Sequence, residues 1–175
     1  MRILHVISGN PFGGIELAFE RTVAALASED VAQYVIIRAD VARKKRLSNF
    51  NVETIELPFG KHFDFSSKRR LNKEIRTFVP DLIVSWTPDV SAQVENQAIK
   101  HLAYIGDEFP ITKIQGCDHL FVASQKRLDR ITGTGWPLDK ISLLPLIIPS
   151  EPLPSASRKD FFTPDTAKLV VVVAS

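Results

Sequence analysis

Cysteine is almost absent from the chain, since Cys117 is the only one among 175 residues. A lone cysteine cannot form an internal disulfide, and no signal peptide precedes the apolar run at the start of the chain. Long apolar runs are missing too, whereas a membrane-spanning helix needs about 20 such residues. We therefore expect a soluble cytoplasmic protein, with 45% hydrophobic residues to build one core of ordinary domain size.

Strong net charge and metal ligands are also lacking. The net charge of +2 is too small to predict nucleic-acid binding. No Asp-x-Asp pair and no histidine, cysteine or acidic cluster has metal-ligand spacing, so neither a metal nor a cofactor is expected. Ser8 and Ser124 lack the context of an activated nucleophile, and Cys117 lacks an evident histidine partner. These absences argue against a hydrolase.

Basic residues are concentrated in two short runs. The second run covers residues 68–70, and the first holds four consecutive residues: Arg43, Lys44, Lys45 and Arg46. One interpretation is solvated surface. The other is attraction to an anionic membrane surface or a phosphorylated acceptor, at about 1 kcal/mol per basic residue near a membrane. The second interpretation predicts a protein peripheral to the inner face of the membrane.

The first 26 residues contain the most informative pattern. Residues 2–8 form an apolar, β-branched run typical of a buried strand. Asn10 and Pro11 then break the strand, and Gly13 and Gly14 permit close approaches that a Cβ would forbid. A helical period follows on one face: Ile15, Phe19, Val23 and Leu26. The stretch therefore predicts a strand, a glycine loop and an amphipathic helix.

This order places the loop at the carboxyl end of the first strand, where open α/β sheets bind ligands. Free N–H groups at the helix start favour an anion there. Two other interpretations stay open, namely a tight turn without a ligand and a dinucleotide site. Gly9, Gly13 and Gly14 lack the G-x-G-x-x-G spacing of a dinucleotide site, although Asp40 lies where a ribose-binding acid would sit.

Apolar runs along the rest of the chain predict six more strands, over residues 33–39, 52–57, 82–86, 102–105, 119–123 and 141–148. Ser66 or Ser67 is predicted to cap a helix that Pro80 ends, and Asp89 to cap a helix over residues 90–99. Strands that alternate with helices predict the α/β class. The expected fold is a Rossmann-like, doubly wound, mostly parallel sheet with helices on both faces.

Four segments in this order resemble a known family: SGNPFGGIE, VPDLIVSWTP, GCDHLFVASQ and GWPLDKISLLPLIIP. The chain resembles the N-terminal, acceptor-side domain of GT-B glycosyltransferases of the family 4, or group 1, type. The resemblance implies an N-terminal domain over residues 1–148, a linker over 149–167 and, over 168–175, the first strand of a C-terminal domain. The paired glutamates that the family carries in its C-terminal domain are not in this chain.

The resemblance also implies a cleft at the carboxyl edge of the sheet. Gly13 and Gly14 would approach the donor diphosphate, and Glu16 would shape the loop and the helix start. The acceptor or cleft candidates are Asn10, Phe12, Thr87, Asp89 and Ser124. Many relatives carry a histidine at the end of a middle strand, where this chain has Asp107 and Glu108 as candidate catalytic residues. Structural roles are expected for His5, His101 and His119, and the role of His62 stays open.

The sequence therefore predicts the acceptor-binding half of a retaining glycosyltransferase, which is inactive alone. Such an enzyme transfers a sugar from a nucleotide-sugar to a glycan, lipid or small-molecule acceptor. The alternative is a non-catalytic Rossmann-like module that binds a phosphorylated ligand or a protein partner. Residues 168–175 form a strongly apolar β-former, which predicts self-association through this tail.

Overall fold

The computed structural model describes residues 1–9, 13–60, 64–95, 98–106 and 110–145, together with residues 162, 164, 166–168 and 170. The predicted linker and tail lie mostly outside the described residues. The domain boundary and the self-association of residues 168–175 therefore stay predictions.

The centre of the protein is a seven-stranded sheet. Its strands are β1 (Arg2–Ile7), β2 (Ala32–Arg38), β3 (Glu53–Leu57), β4 (Leu82–Ser85), β5 (Lys100–Ile105), β6 (His119–Val122) and β7 (Ile141–Leu143). Every neighbouring pair is parallel, and the order is β3-β2-β1-β4-β5-β6-β7. The helices of the described residues are α1 (Gly14–Leu26), α2 (Val41–Ser48), α3 (Phe65–Phe78), α4 (Pro88–Ser91) and α5 (Gln125–Thr132). None of them is long and apolar enough to cross a membrane.

Helices cover both faces of the sheet. Alternate β1 residues Ile3 and Ile7 pack with Phe19 of α1 on one face. Leu4 of β1 packs on the other face, with Leu71 of α3. Because the inner strands are buried on both sides, they are mostly apolar, as is usual in parallel sheets. The predicted doubly wound α/β fold is confirmed.

The starts of two helices differ from the predictions, and so does the end of one of them. Asp64, rather than Ser66 or Ser67, caps α3, because its carboxylate accepts from the Ser67 N–H at 2.9 Å and the Gly60 N–H at 2.7 Å. Thr87, rather than Asp89, holds the N-cap position of α4, and this helix ends at Ser91. The predicted helix over residues 90–99 is therefore wrong.

A buried amide explains why the chain turns after Ser91. Asn72 of α3 donates to the Gln93 carbonyl at 2.9 Å and accepts from the Glu95 N–H at 3.1 Å. These bonds satisfy backbone groups that a continuing helix would otherwise pair internally.

The first basic run forms a helix that the sequence analysis did not predict. Asp40 caps α2 by accepting from the Arg43 N–H at 3.0 Å. This capping role gives Asp40 a structural function at the position considered for a ribose-binding acid.

The three histidines on described strands have structural partners. His5 and His101 are buried, and burial lowers the pKa of each imidazole to about 4. The Trp86 indole donates to His5 Nδ1 at 3.3 Å, and His119 Nε2 lies 2.8 Å from Ser142 Oγ. His62 lies outside the described residues.

Candidate functional site

The site lies where the strand order reverses between β1 and β4. Ser8 follows β1 and Thr87 closely follows β4. The Ser8 N–H donates to Thr87 Oγ1 at 3.2 Å, and the two hydroxyl oxygens are 2.8 Å apart. Open α/β sheets bind ligands at this kind of switch point, outside the carboxyl ends of the strands.

Glu16 fills the space between the glycines of the loop. A Cβ on Gly9 or on Gly13 would overlap a carboxylate oxygen of Glu16. Both glycines are therefore explained by close approach to this side chain. Gly14 differs, because a Cβ there would meet nothing within 4 Å. The role of Glu16 in shaping the loop stays a prediction, for which this proximity is the structural basis.

A buried guanidinium holds the end of β1 from another direction. Arg43 of α2 is fully buried, and it donates to the Gly9 carbonyl at 3.2 Å and to Glu20 of α1 at 3.4 Å. Arg46 donates twice to the same Glu20 carboxylate, at 2.7 Å each. The arginines therefore tie α1, α2 and the start of the glycine loop together.

The surface interpretation of the first basic run is wrong for Arg43. Its buried guanidinium donates to a backbone carbonyl and to a carboxylate, so it cannot face a membrane. Lys44 pairs with Glu56 at 2.8 Å but stays exposed, as does Lys45. Association with an anionic membrane surface stays a prediction.

A cleft of about 430 Å³ opens beside the loop. Three of the predicted residues line it, namely Gly14, Glu16 and Ser124. Its other walls come from the start of α1, the ends of β5 and β6 and the first turn of α5: Ile15, Tyr104, Ile105, Gly106, Ala123 and Arg127. The carboxyl ends of two strands and the starts of α1 and α5 thus converge on one space.

The rear of this cleft is rigid and aromatic. Tyr104 stacks on Trp86 with ring centroids 5.0 Å apart, and Phe19 of α1 meets Trp86 edge-on at 5.6 Å. Gly106 lies so close to Ile15 that a Cβ would overlap the Ile15 side chain. The start of α1 can therefore approach the end of β5.

Sequence reasoning missed Tyr104, Gly106 and Arg127 as lining residues. Gly106 could have been found from the sequence, because a glycine directly after a buried strand indicates close backbone approach. Nothing in the sequence identifies Arg127 as a cleft residue, because a single arginine in a polar helix resembles a solvated residue.

Three other described candidates, Gly13, Thr87 and Asp89, do not line the cleft. Asp89 lies in a separate recess of about 230 Å³, where its carboxylate pairs with Lys113. Asn10, Phe12, Asp107 and Glu108 lie outside the described residues. Their roles stay predictions, as does the approach of Gly13 and Gly14 to a diphosphate.

A second polar cluster lies away from the cleft. His101 Nε2 is 2.9 Å from Ser85 Oγ, and His101 Nδ1 is 3.7 Å from Cys117 Sγ. The expectation that Cys117 lacks a histidine partner is therefore wrong. Burial nevertheless raises the pKa of the thiol to about 12, so it stays protonated and unreactive. No group of three metal-binding side chains occurs among the described residues.

Comparison with known proteins gives one curated relative. No family model matches the chain. The chain is 28% identical over 180 residues to the lipopolysaccharide core biosynthesis glycosyltransferase LpsD of Rhizobium meliloti (strain 1021). The match covers 98% of this chain and 50% of that protein, so the chain spans about half the length of this relative.

Solved structures share the fold at low identity. A glycosyltransferase from Rickettsia africae matches with a TM-score of 0.63 and 15% identity, over 82% of this chain and 42% of that one. Anabaena Alr3699/HepE in complex with UDP-glucose matches with a TM-score of 0.66 and 14% identity, over 83% of this chain and 44% of that one. A UDP-GlcNAc 2-epimerase from Neisseria meningitidis, bound to UDP-GlcNAc, matches with a TM-score of 0.61 and 15% identity, over 82% of this chain and 46% of that one. The expected fold of an N-terminal GT-B domain is confirmed, whereas the family 4 assignment stays a prediction.

Proposed function

We propose that the chain is the acceptor-binding half of a retaining glycosyltransferase and is inactive alone. The complete enzyme transfers a sugar from a nucleotide-sugar to a glycan, lipid or small-molecule acceptor. The observation that carries the proposal is the cleft of about 430 Å³ at the carboxyl edge, where Gly14, Glu16 and Ser124 meet. The cleft lies at the carboxyl edge of the sheet, which is the edge where open α/β sheets bind ligands.

Transfer is favoured over epimerisation by the curated comparison. The fold alone does not distinguish transfer from epimerisation, since both a glycosyltransferase and an epimerase share it. The relative that matches 98% of the chain is a glycosyltransferase of lipopolysaccharide core biosynthesis. This likeness supports sugar transfer and favours a glycan among the three acceptor classes.

Weak donor binding follows from the charges at the start of α1. A helix N-terminus stabilises an anion by about 0.3–1 kcal/mol, and by ~2 kcal/mol in favourable sites. Glu16 already places a carboxylate against Gly9 and Gly13, so a diphosphate there would face a like charge. A millimolar dissociation constant needs about 4.1 kcal/mol. We therefore infer that this half binds a nucleotide-sugar more weakly than millimolar.

The test uses the purified chain and a panel of nucleotide-sugars. Binding is followed by calorimetry, and release of nucleoside diphosphate is followed by a coupled assay. The proposal predicts no release and no saturation below the millimolar range, because the glycosyltransferases that the chain resembles make most nucleotide-sugar contacts with their C-terminal domain. Micromolar binding of a phosphorylated compound without transfer would favour the non-catalytic module. Nucleotide release that disappears in Gly14→Val would show that this half is active by itself.

A further inference from the structure

The outer face of α3 carries positive charge that the cleft does not use. Arg69, Lys73 and Arg76 follow one another at spacings of four and three residues, so they lie on one face of the helix, and Arg70 lies beside them. All four residues are exposed. The opposite face of α3 is buried against the sheet. The second basic run of the sequence therefore belongs to a larger cationic surface.

Ion pairs leave most of this surface uncompensated. Among the described residues, no carboxylate forms an ion pair with Arg69, Arg70 or Lys73. Arg76 lies 4.0 Å from a carboxylate oxygen of Glu95, whose side chain is half exposed. At least three positive charges of the face are thus available to an anionic partner.

The surroundings of α3 add little negative charge to this face. Glu74 is the acidic residue of α3 itself, and it accepts a hydrogen bond from the Tyr34 hydroxyl at 3.2 Å, so its carboxylate is directed toward the sheet. Two short segments next to α3 and α4 lie outside the described residues, and they contain no aspartate or glutamate: residues 61–63 and 96–97.

Exposed apolar side chains lie at both ends of the same helix. Phe65 begins α3 four residues before Arg69 and is 72% exposed. Val79 is the C-cap of α3 and is 64% exposed. The interface of a bilayer accepts apolar side chains beside basic ones, whereas the phosphates of a nucleic acid interact only with the basic ones. This combination favours a lipid surface.

We propose that the outer face of α3 docks on an anionic lipid surface, with Arg69, Arg70, Lys73 and Arg76 toward the headgroups. Each basic residue near such a surface is attracted by its negative potential, and the attraction falls off within a Debye length. The proposal goes beyond the proposed function and does not depend on it, because it concerns a helix face and not the cleft.

The first basic run cannot share this contact, because α2 and α3 cover opposite faces of the sheet. Leu47 of α2 belongs to the core that contains Ile3 and Ile7, whereas Leu71 of α3 belongs to the core that contains Leu4. Successive residues of β1 point to opposite faces. A lipid surface in contact with α3 is therefore separated from α2 by the sheet.

The test is cosedimentation of the full 175-residue chain with lipid vesicles. Vesicles of phosphatidylcholine that contain phosphatidylglycerol should bind the chain, and vesicles of phosphatidylcholine alone should not. Binding should be lost in 1 M salt, where the Debye length is about 3 Å. No binding to the anionic vesicles, or equal binding to both kinds, would overturn the proposal.

Matched double variants locate the contact. Arg69→Gln with Lys73→Gln should weaken vesicle binding by about thirtyfold, which corresponds to ~2 kcal/mol for two basic residues near an anionic membrane. Lys44→Gln with Lys45→Gln removes the same charge from exposed positions of α2 and should leave binding unchanged. Equal weakening by both variants, or weakening by the α2 variant alone, would contradict a contact through α3.

A charge-conserving variant separates the loss of charge from damage to the helix. Arg69→Lys with Lys73→Arg keeps both positive charges and should bind the anionic vesicles as the wild type does. Loss of binding in this variant would show that charge attraction does not hold α3 on the lipid.

Tryptophan reporters test which side of the sheet meets the lipid. Phe65→Trp places an indole at the start of α3, and Val41→Trp places one at the start of α2, where Val41 is 84% exposed. Anionic vesicles should move the fluorescence emission to shorter wavelength in Phe65→Trp and not in Val41→Trp. The opposite result would overturn the proposed orientation.

A duplex DNA oligonucleotide serves as the competing anion. Binding of the duplex without binding of vesicles, lost in Arg69→Gln with Lys73→Gln, would replace the lipid surface by a nucleic acid. Docking and the proposed function fail separately, because nucleotide-sugar binding is read at the cleft residues Gly14, Glu16 and Ser124, which do not belong to α3.

Discussion

Arg43 joins more parts of the site than any other single side chain described above. Its guanidinium is fully buried, and it bonds both the Gly9 carbonyl and the Glu20 carboxylate. Burying a charge is costly unless it is paired and hydrogen-bonded. Each of these bonds therefore offsets part of the free energy that it costs to bury the Arg43 guanidinium. The position of the glycine loop therefore depends on a residue of α2, which lies outside the cleft.

Replacement of Arg43 by methionine should lower the free energy of unfolding by about 2–4 kcal/mol. Removal of one partner of a buried pair costs about 3–5 kcal/mol, and Arg46 retains part of the charge balance of Glu20. Urea unfolding measures this loss. Lys45→Met on the same helix is the control and should change stability by less than about 0.5 kcal/mol, because Lys45 is exposed. Equal stability of the two variants would show that the buried contacts contribute little.

The two buried histidines should make the protein less stable in mild acid. The pKa of His5 and that of His101 fall from 6.5 to about 4 on folding, so between these pH values the unfolded chain binds protons that the folded chain does not. The free energy of unfolding therefore decreases as the pH falls from 6.5 toward 4, by roughly 3 kcal/mol for each histidine. Urea unfolding as a function of pH measures this decrease.

A variant isolates the contribution of one ring. In His101→Asn the free energy of unfolding should decrease less than in the wild type as the pH falls. Packing lost with the ring would instead lower the free energy of unfolding by the same amount at every pH. A stability that stays constant from pH 6.5 to 4.5, or an unchanged slope in the variant, would contradict the burial effect.

Residue roles were predictable where the local sequence determines them. Glu16 lies one helical turn from Gly13, so its influence on the loop follows from spacing. Arg43 and Lys45 look alike in sequence, because both belong to one run of four basic residues. Only the packing of α2 against α1 decides which of them is buried.

At the scale of elements, the start of α1 offers a variant that changes the cleft and not the fold. A Cβ on Gly14 meets no atom within 4 Å, and Gly14 does not have a positive φ. Gly14→Ala should therefore leave stability unchanged or raise it by up to about 1 kcal/mol, because alanine loses less backbone entropy in a helix. Gly116→Ala is the matched control, since its Cβ also meets nothing within 4 Å. Destabilisation by more than about 1 kcal/mol in urea unfolding would contradict the open space at Gly14.

Six strands were predictable to within two residues at each end, because buried parallel strands are continuous apolar runs. The prediction for β7 was wrong at its end, since the strand stops at Leu143 rather than at Ile148. Short polar elements were not predictable. Four consecutive basic residues hide the helical period of α2, and α4 contains only four residues. The turn after α4 depends on Asn72, which lies about 20 residues earlier in the sequence and becomes its neighbour only through the fold.

At the scale of the whole molecule, the carboxyl edge carries every feature that the proposed function uses. The Ser8–Thr87 contact, the glycine loop and the cleft all lie at the same edge of one parallel sheet. This concentration was predictable from the order of the elements, since all parallel strands end at one edge. The place of Arg127 in the cleft was not predictable, because it depends on how α5 packs beside β6.

Nitrogen-15 NMR of the chain with UDP-glucose tests the central claim most directly, since one structural neighbour was solved in complex with this compound. The account predicts shifts at Gly14, Glu16, Gly106 and Ser124 that do not saturate below millimolar concentration. Gly14→Ala should reduce these shifts and Gly116→Ala should not. Shifts located elsewhere, or equal effects of both variants, would contradict a donor-facing cleft at this edge.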